Sequence, residues 1–277
     1  MNKQLCIYHK GCLDGFASAW VVSQAHPGIP LHEGVYQDDP PNVTGLDVII
    51  VDFSYKRDVL IEMSKTANSI LIIDHHKSAK ADLQNLPDNI DCKFDITHSG
   101  AGLTWMHYFP NENAPKLLQH IEDRDLWRFT LKNTQEIVAA MYSRGFTLEL
   151  FDTPLAKLAS EGVAITRAND KNISSLAKTA AYRLDIDGHN VPICNAPYMF
   201  ASDMGNLLAK GEPFSATYYD TEDYRIFSLR SDENGLDVSI IAEKFGGGGH
   251  EHAAGFRVQR PIFERTILQL KKTFIGK

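Results

Sequence analysis

Basic residues are in the minority: 28 lysines and arginines against 35 aspartates and glutamates give the chain a formal net charge of −7. A long electrostatic footprint on nucleic acid shows as a basic stripe, and this balance counts against one. A short phosphate-bearing ligand held by a few groups remains open, with metal ions supplying the positive charge that the side chains lack. Cysteine is scarce as well. Cys6, Cys12, Cys92 and Cys194 form no CxxC pair and no framework of close spacings, which argues for a reducing compartment and against a structural zinc knot. The cytoplasm is the expected location. No apolar stretch approaches the ~20 residues of a membrane span. Leu5-Cys6-Ile7-Tyr8 is too short for the apolar core of a signal peptide, so no membrane partner is expected. Internal repeats and low-complexity tracts are also missing.

What is present suits a soluble protein with ample core: 43% hydrophobic and 23% charged residues over 277 positions, enough for one large domain or two ordinary ones. Leu5–Tyr8, Asp47–Phe53 and Ser69–Asp74 are continuous apolar runs of strand length, with a fourth candidate at Cys92–Asp95. Helical patterns lie between or after them, at 15–25, 56–67, 100–108 and 115–124. Buried apolar strands alternating with helices imply a doubly wound parallel sheet. From about Asp152 to Leu184 the pattern reads as a helical connector. Beyond it the style changes: a strand at 190–194, an antiparallel pair at 214–219 and 224–230, a helix at 238–245, a strand at 254–258 and a last helix at 261–274. The expected architecture is α/β in two domains. Residues 1–150 form the parallel-sheet domain, 151–186 the connector, and 187–277 a smaller glycine-rich α/β domain with a mixed sheet.

Each of the first three strands runs into polar residues. The first ends in His9, with Cys12 and Asp14 in the following loop (HKGCLDG). The second ends in Asp52, and the third in Asp74-His75-His76. In an open parallel sheet the carboxyl ends share one edge, and ligands bind there, so residues distant in sequence should meet. Taken singly, Asp14 and Asp52 have a competing reading as helix caps. An acid followed by two imidazoles at the end of a buried strand has no such easy account, because those groups lose hydration without partners. Carboxylates and imidazoles together suit Mn²⁺ or another first-row divalent ion, and two such ions about 3.5–4 Å apart clamp a phosphoester for hydrolysis. Ile121-Glu122-Asp123-Arg124-Asp125-Leu126-Trp127 offers a further acid, Asp123 or Asp125.

The second strong signal is Phe245-Gly246-Gly247-Gly248-Gly249-His250-Glu251-His252. Four glycines let the backbone approach a ligand and aim N–H groups at an anion. No Lys-Ser/Thr follows, so this is not a P-loop. Arg230-Ser231 upstream and His250 at its end add to the case for a phosphate cradle.

The motifs IYHKGCLDG, VIIVDF, LIIDHH, HSGAGLTW and IEDRDLW, with FSLRS and FGGGGHEHAAGF further on, resemble the DHH phosphoesterase superfamily and its associated C-terminal substrate-binding domain. The style is that of the oligoribonuclease and cyclic-nucleotide phosphodiesterase branch. The resemblance spans nearly the whole chain. It implies a metal-dependent phosphodiesterase that hydrolyses short oligonucleotides or linear dinucleotides to mononucleotides by a two-metal mechanism, with two Mn²⁺ or other divalent ions. His9, Asp14, Asp52, His75 and Asp123 would be metal ligands, Asp52 the bridge, and Asp74 and His76 catalytic. Ser99, Arg230, Ser231, Gly247, Gly248, Gly249 and His250 would hold substrate. A nucleoside 3′,5′-bisphosphate phosphatase, a cyclic-dinucleotide phosphodiesterase and a nucleotide-binding regulator with a decayed metal site are the alternatives; a homodimer is allowed rather than required. The family's first motif usually reads HxDxDG. Here Cys12 stands where the first aspartate is expected, as a metal ligand or as a bystander.

Overall fold

The computed structural model describes residues 3–80 and 82–260. The apolar runs form parallel strands: β1 (Lys3–His9), β2 (Leu31–Gly34), β3 (Leu46–Val51), β4 (Ser69–Asp74) and β5 (Ile90–Phe94), in the order β2-β1-β3-β4-β5. Period-two alternation sorts their side chains. Cys6, Tyr8, Ile49, Val51 and Ile73 meet Phe16, Ala19 and Val22 of helix α1 (Leu13–Ala25) and Leu103 of α3 (Gly100–Tyr108). Ile7, Val48, Ile50, Ile70 and Ile72 meet Leu60 and Met63 of α2 (Arg57–Ser64). Both faces are covered, as continuous apolar strands require, and each fully buried aliphatic side chain contributes about 1.5–3 kcal/mol. Helices α4 (Lys116–Asp125) and α5 (Thr134–Arg144) join α1 and α3 in a further apolar cluster. The strand order reverses between β1 and β3, the switch point at which a crevice opens beyond the carboxyl ends.

The chain divides into two units, one ending at Ala168 and one beginning at Asn169, within the long helix α6 (Leu155–Ala180). The second unit holds a six-stranded mixed sheet of order β10-β11-β9-β8-β7-β6. Its strands are β6 (Ala181–Ile186), β7 (His189–Asn195), β8 (Ser215–Asp220), β9 (Tyr224–Arg230), β10 (Gly248–His250) and β11 (Ala253–Gln259). Helices α7 (Ala201–Ala209) and α8 (Val238–Lys244) belong to this unit. Alternate residues of β7 again part company: Val191 and Ile193 pack with Val238 and Ile241 of α8, whereas Cys194 packs with Met204 of α7 and Ile173 of α6. The antiparallel pairing of β8 with β9 is as expected.

The helical reading up to Leu184 is corrected. The helix ends at Ala180 and residues 181–186 pair antiparallel with β7. The local cause is the two-residue turn Asp187-Gly188, with φ of 53° and 80°, a pair of left-handed residues that matches the twist of a tight hairpin. Edge strand β2 and helices α5 and α7 are additional to the sequence reading. The expected helix at 261–274 lies outside the described residues. No helix among the described residues is long and apolar enough to cross a membrane.

Candidate metal centre

The strand ends beside the switch point carry the polar residues. His9 closes β1, Asp52 follows β3, and Asp74 closes β4 with His75 and His76 behind it. Asp14 lies in the first turn of α1 and Asp125 at the end of α4. These residues meet. His75 Nε2 is 3.1 Å from Asp52 Oδ1, 3.7 Å from Asp125 Oδ2 and 3.9 Å from Asp14 Oδ2. His9 Nδ1 is 3.7 Å from Asp52 Oδ2. Asp14, Asp52, Asp74 and His75 are at most 1% exposed.

Local sequence explains how such crowding is reached. Asp52 has φ 52°, a left-handed conformation that Asp tolerates better than most residues. Its N–H donates to the carbonyl of Ile73. A β-carbon on Gly15 would lie 2.6 Å from the His9 carbonyl and 3.1 Å from Asp52 Oδ2. One on Gly100 would lie 2.5 Å from Asp52 Cβ and 2.9 Å from Asp14 Oδ2. The glycines of LDG and HSG therefore let two helix starts close on the acids. The Ala101 N–H donates to Asp14 at 3.2 Å, placing that carboxylate at the positive end of α3.

Asp74 is an orienting group. Its Oδ1 accepts from the His75 and His76 N–H groups at 2.8 and 3.3 Å and lies 2.7 Å from His76 Nδ1. The rings of Tyr36 and Phe53, 4.7 Å apart, flank His9, which also stands edge-on to His76. Tyr36 went unnoticed in the sequence because its loop carries no motif.

Charges this close perturb one another. Burial raises the Asp14 carboxyl well above its usual range, and repulsion from Asp125 and Asp52 adds to it. Burial opposes ionisation of Asp52, but the imidazoles of His75 and His9 and the charge of His76 carry it well below the usual range. His75, despite burial, is pushed up to about 10 by Asp52, Asp125 and Asp14. Burial lowers and Asp74 raises the His76 imidazole, with a net rise. Burial and the carboxylates of Asp52, Asp125 and Asp14 push the Cys12 thiol up.

The donors fit divalent cations. His9 Nδ1 and Asp52 Oδ2 are buried, face one another, and make no hydrogen bond among the described residues; Asp74 Oδ2 is in the same position. Such atoms are costly to bury unless something pairs them. Ligand atoms of Asp14, Asp52 and His75 lie within 4.8 Å of one another, as do those of His9, Cys12 and Asp52. Oxygen and nitrogen donors of this kind suit first-row divalent ions.

Four expectations are corrected. Asp123 is not with the other acids. Its Oδ1 accepts from the N–H and hydroxyl of Thr130 and its Oδ2 from Leu131 and Thr134, so it ties the end of α4 to the next segment. Asp125, two residues on, stands beside His75 instead. Ser99 is fully buried; its hydroxyl caps α3 by accepting from Gly102, and its N–H donates to Glu122. Ser231 is buried, with its N–H and hydroxyl engaged by His252. The glycine run is not an open cradle. Gly246 and Gly247 donate their N–H groups to Glu243 and Ala242 at the end of α8. Gly248 and Gly249 belong with His250 to edge strand β10, where a β-carbon on Gly249 would lie 2.5 Å from the Ala253 carbonyl. Arg230 donates to Leu229 and to Ser202.

No protein-family model matches the chain. It is similar to the uncharacterized protein R106 of Acanthamoeba polyphaga mimivirus, 32% identical over 281 residues covering 90% of this chain and 66% of that one. The chain thus spans just under two thirds of that relative's length. An exopolyphosphatase-related protein of Bacteroides fragilis shares the fold at TM-score 0.50 and 15% identity, covering 98% of this chain and 91% of that one. The Vibrio cholerae protein PggH, a pGpG-specific phosphodiesterase, aligns at TM-score 0.49 and 14% identity over 98% of each chain. At these identities the structural likeness speaks to fold alone. The fold of this chain is α/β, with a five-stranded parallel sheet and a second, mixed six-stranded sheet.

Proposed function

We propose that the chain is a metal-dependent phosphodiesterase that hydrolyses short oligonucleotides or linear dinucleotides to mononucleotides, as the DHH phosphoesterases that its motifs resemble. One observation carries the reading: His9, Asp14, Asp52, His75 and Asp125 come from five separate segments to one sheet edge, where His9 Nδ1 and Asp52 Oδ2 are buried and face one another without a hydrogen bond among the described residues. Divalent ions held there, two Mn²⁺ in this reading, would supply positive charge to the phosphoryl oxygens and lower the pKa of a water molecule.

The side chains divide the remaining work. Asp52 turns Oδ1 towards His75 and Oδ2 towards His9, the arrangement of a bridging carboxylate. Asp14 and Asp125 add acceptor oxygens on the His75 side. Asp74, anchored by two backbone N–H groups, fixes the His76 ring through Nδ1 and favours its protonated form. His76 Nε2 is then the atom to deliver a proton to the departing sugar oxygen. Arg230 and His250 of the second unit are the proposed substrate-holding groups. The acidic balance of the chain favours short substrates over long polymers.

The test is a Mn²⁺-supplemented assay across RNA dimers and trimers, cyclic dinucleotides and nucleoside 3′,5′-bisphosphate, with products identified. Nucleoside monophosphates from the dimers and trimers are expected. Turnover confined to bisphosphate or cyclic substrates would replace the substrate assignment. No turnover of any of them by metal-loaded protein would overturn the enzyme reading.

A further inference from the structure

Cys12 is the donor at this centre with no evident structural reason to be a cysteine. It is the N-cap residue of α1, where Ser, Thr, Asp and Asn serve best, and a thiol set towards the Gly15 N–H is a weaker acceptor than their oxygens. Packing does not account for it either. Cys6 and Cys194 are fully buried members of apolar clusters, whereas Cys12 is partly exposed and belongs to none of those clusters among the described residues. Its neighbours are ligand-type atoms: the Cys12 sulfur, a His9 nitrogen and an Asp52 oxygen all lie within 4.8 Å of one another. A second observation is independent of the thiol. Asp52 is 1% exposed, its Oδ2 has no hydrogen-bond partner among the described residues, and it faces His9 Nδ1 across 3.7 Å.

We propose that Cys12 is a metal ligand, forming with His9 and Asp52 a sulfur–nitrogen–oxygen site that prefers a thiophilic divalent ion such as Zn²⁺, Co²⁺ or Fe²⁺ to Mn²⁺. The inference rests on reading the cluster as a metal centre and adds which ion one half of it selects. Thiolate ligands draw softer ions, whereas carboxylates suit Mn²⁺. Asp14, His75 and Asp125 offer no sulfur to the other half, so the two halves differ in preference and the centre is suited to a mixed pair. Binding converts the thiol to a thiolate and releases its proton to solvent.

The experiment loads the purified 277-residue chain with Co²⁺ alone. A thiolate-to-cobalt charge-transfer band in the near ultraviolet is expected, present in the native chain and lost in Cys12→Ser. In Cys12→Asp, affinity for Mn²⁺ relative to Zn²⁺ should rise by about tenfold or more, the scale on which ligand-shell changes act. Alkylation by iodoacetamide, mapped by peptide mass spectrometry, gives a readout that needs no variant. Bound Co²⁺ should slow modification of Cys12 and leave that of Cys92 unchanged. Two Co²⁺ per chain with phosphodiester hydrolysis intact, but no charge-transfer band and no protection of Cys12, would overturn this inference and leave the metal-centre reading standing. Failure to bind Co²⁺ or Mn²⁺ at all would sink both.

Discussion

His75 Nε2 and Asp52 Oδ1 lie 3.1 Å apart although 23 positions separate them in the chain. They follow neighbouring parallel strands whose last paired residues are Val51 and Ile73. Adjacent strands run about 4.8 Å apart, so residues just beyond those ends are brought within reach by the sheet itself. The pair is held by backbone geometry as much as by attraction, so the cluster around it is set by the fold itself.

Removing the bridge should be decisive. Asp52→Asn keeps a side chain that tolerates the left-handed φ of 52° while weakening the contacts towards both His75 and His9. Turnover should fall by more than about a hundredfold and bound metal per chain should drop, together with some loss of thermal stability, because the buried contact with His75 is charge-assisted. Near-normal rates would show that the centre is elsewhere.

Gly100→Ala tests the crowding directly. The new methyl group would meet Asp52 Cβ at 2.5 Å and Asp52 Oδ1 at 2.8 Å, so the start of α3 must retreat from the acids. Overpacking of this kind costs about 1–3 kcal/mol. Metal titration should show weakened binding alongside a lowered melting temperature; unaltered affinity would mean that the helix start is not part of the site.

Asp123 and Asp125 should separate stability from activity. Asp123→Asn loses charge-assisted hydrogen bonds from Thr130, Leu131 and Thr134, a deficit of about 1.5–3 kcal/mol in unfolding free energy at neutral pH. Burial opposes ionisation of Asp123, but the Thr134, Thr130 and Leu131 donors lower its pKa below the usual value. Its contribution is therefore complete above the unfolded-state pKa of about 3.9 and is lost as pH falls through the depressed folded value. Denaturation across an acid series should show the gap between native and variant narrowing in that window. Asp125→Asn should instead lower metal affinity and turnover with little effect on stability.

In the second unit, His250→Ala should raise KM with a smaller change in kcat, measured on an RNA dimer. Unchanged values of both would remove the glycine-rich segment from substrate handling.

Much of this was legible from local pattern. Continuous apolar runs marked β1, β3 and β4, and a polar residue at the end of each marked the edge where acids and imidazoles meet, because parallel strands buried on both faces end abruptly where solvent begins. The choice between Asp123 and Asp125 was not legible. Two residues apart on a helix, their side chains point about 200° apart, and only the packing of Leu117, Leu118 and Ile121 settles which of them meets His75. Ser99 and Ser231 misled for a related reason. A hydroxyl or N–H looks available in a sequence until its partner arrives from elsewhere, here Glu122 twenty-three positions on and His252 twenty-one positions on. The glycines pointed to close approach correctly, yet what approaches Gly247 and Gly249 is strand β11 of the same unit.

The sequence by itself determined the strands of the first sheet, the edge at which acids and imidazoles gather and the kind of atoms placed there, since apolar periodicity and residue chemistry are properties of short segments. Tertiary structure alone decided which acid joins the cluster, which N–H groups are already taken, and that the Cys12 sulfur lies beside His9 and Asp52. Those are matters of distance between segments remote in sequence, and distance is set by how helices and strands close on a shared core.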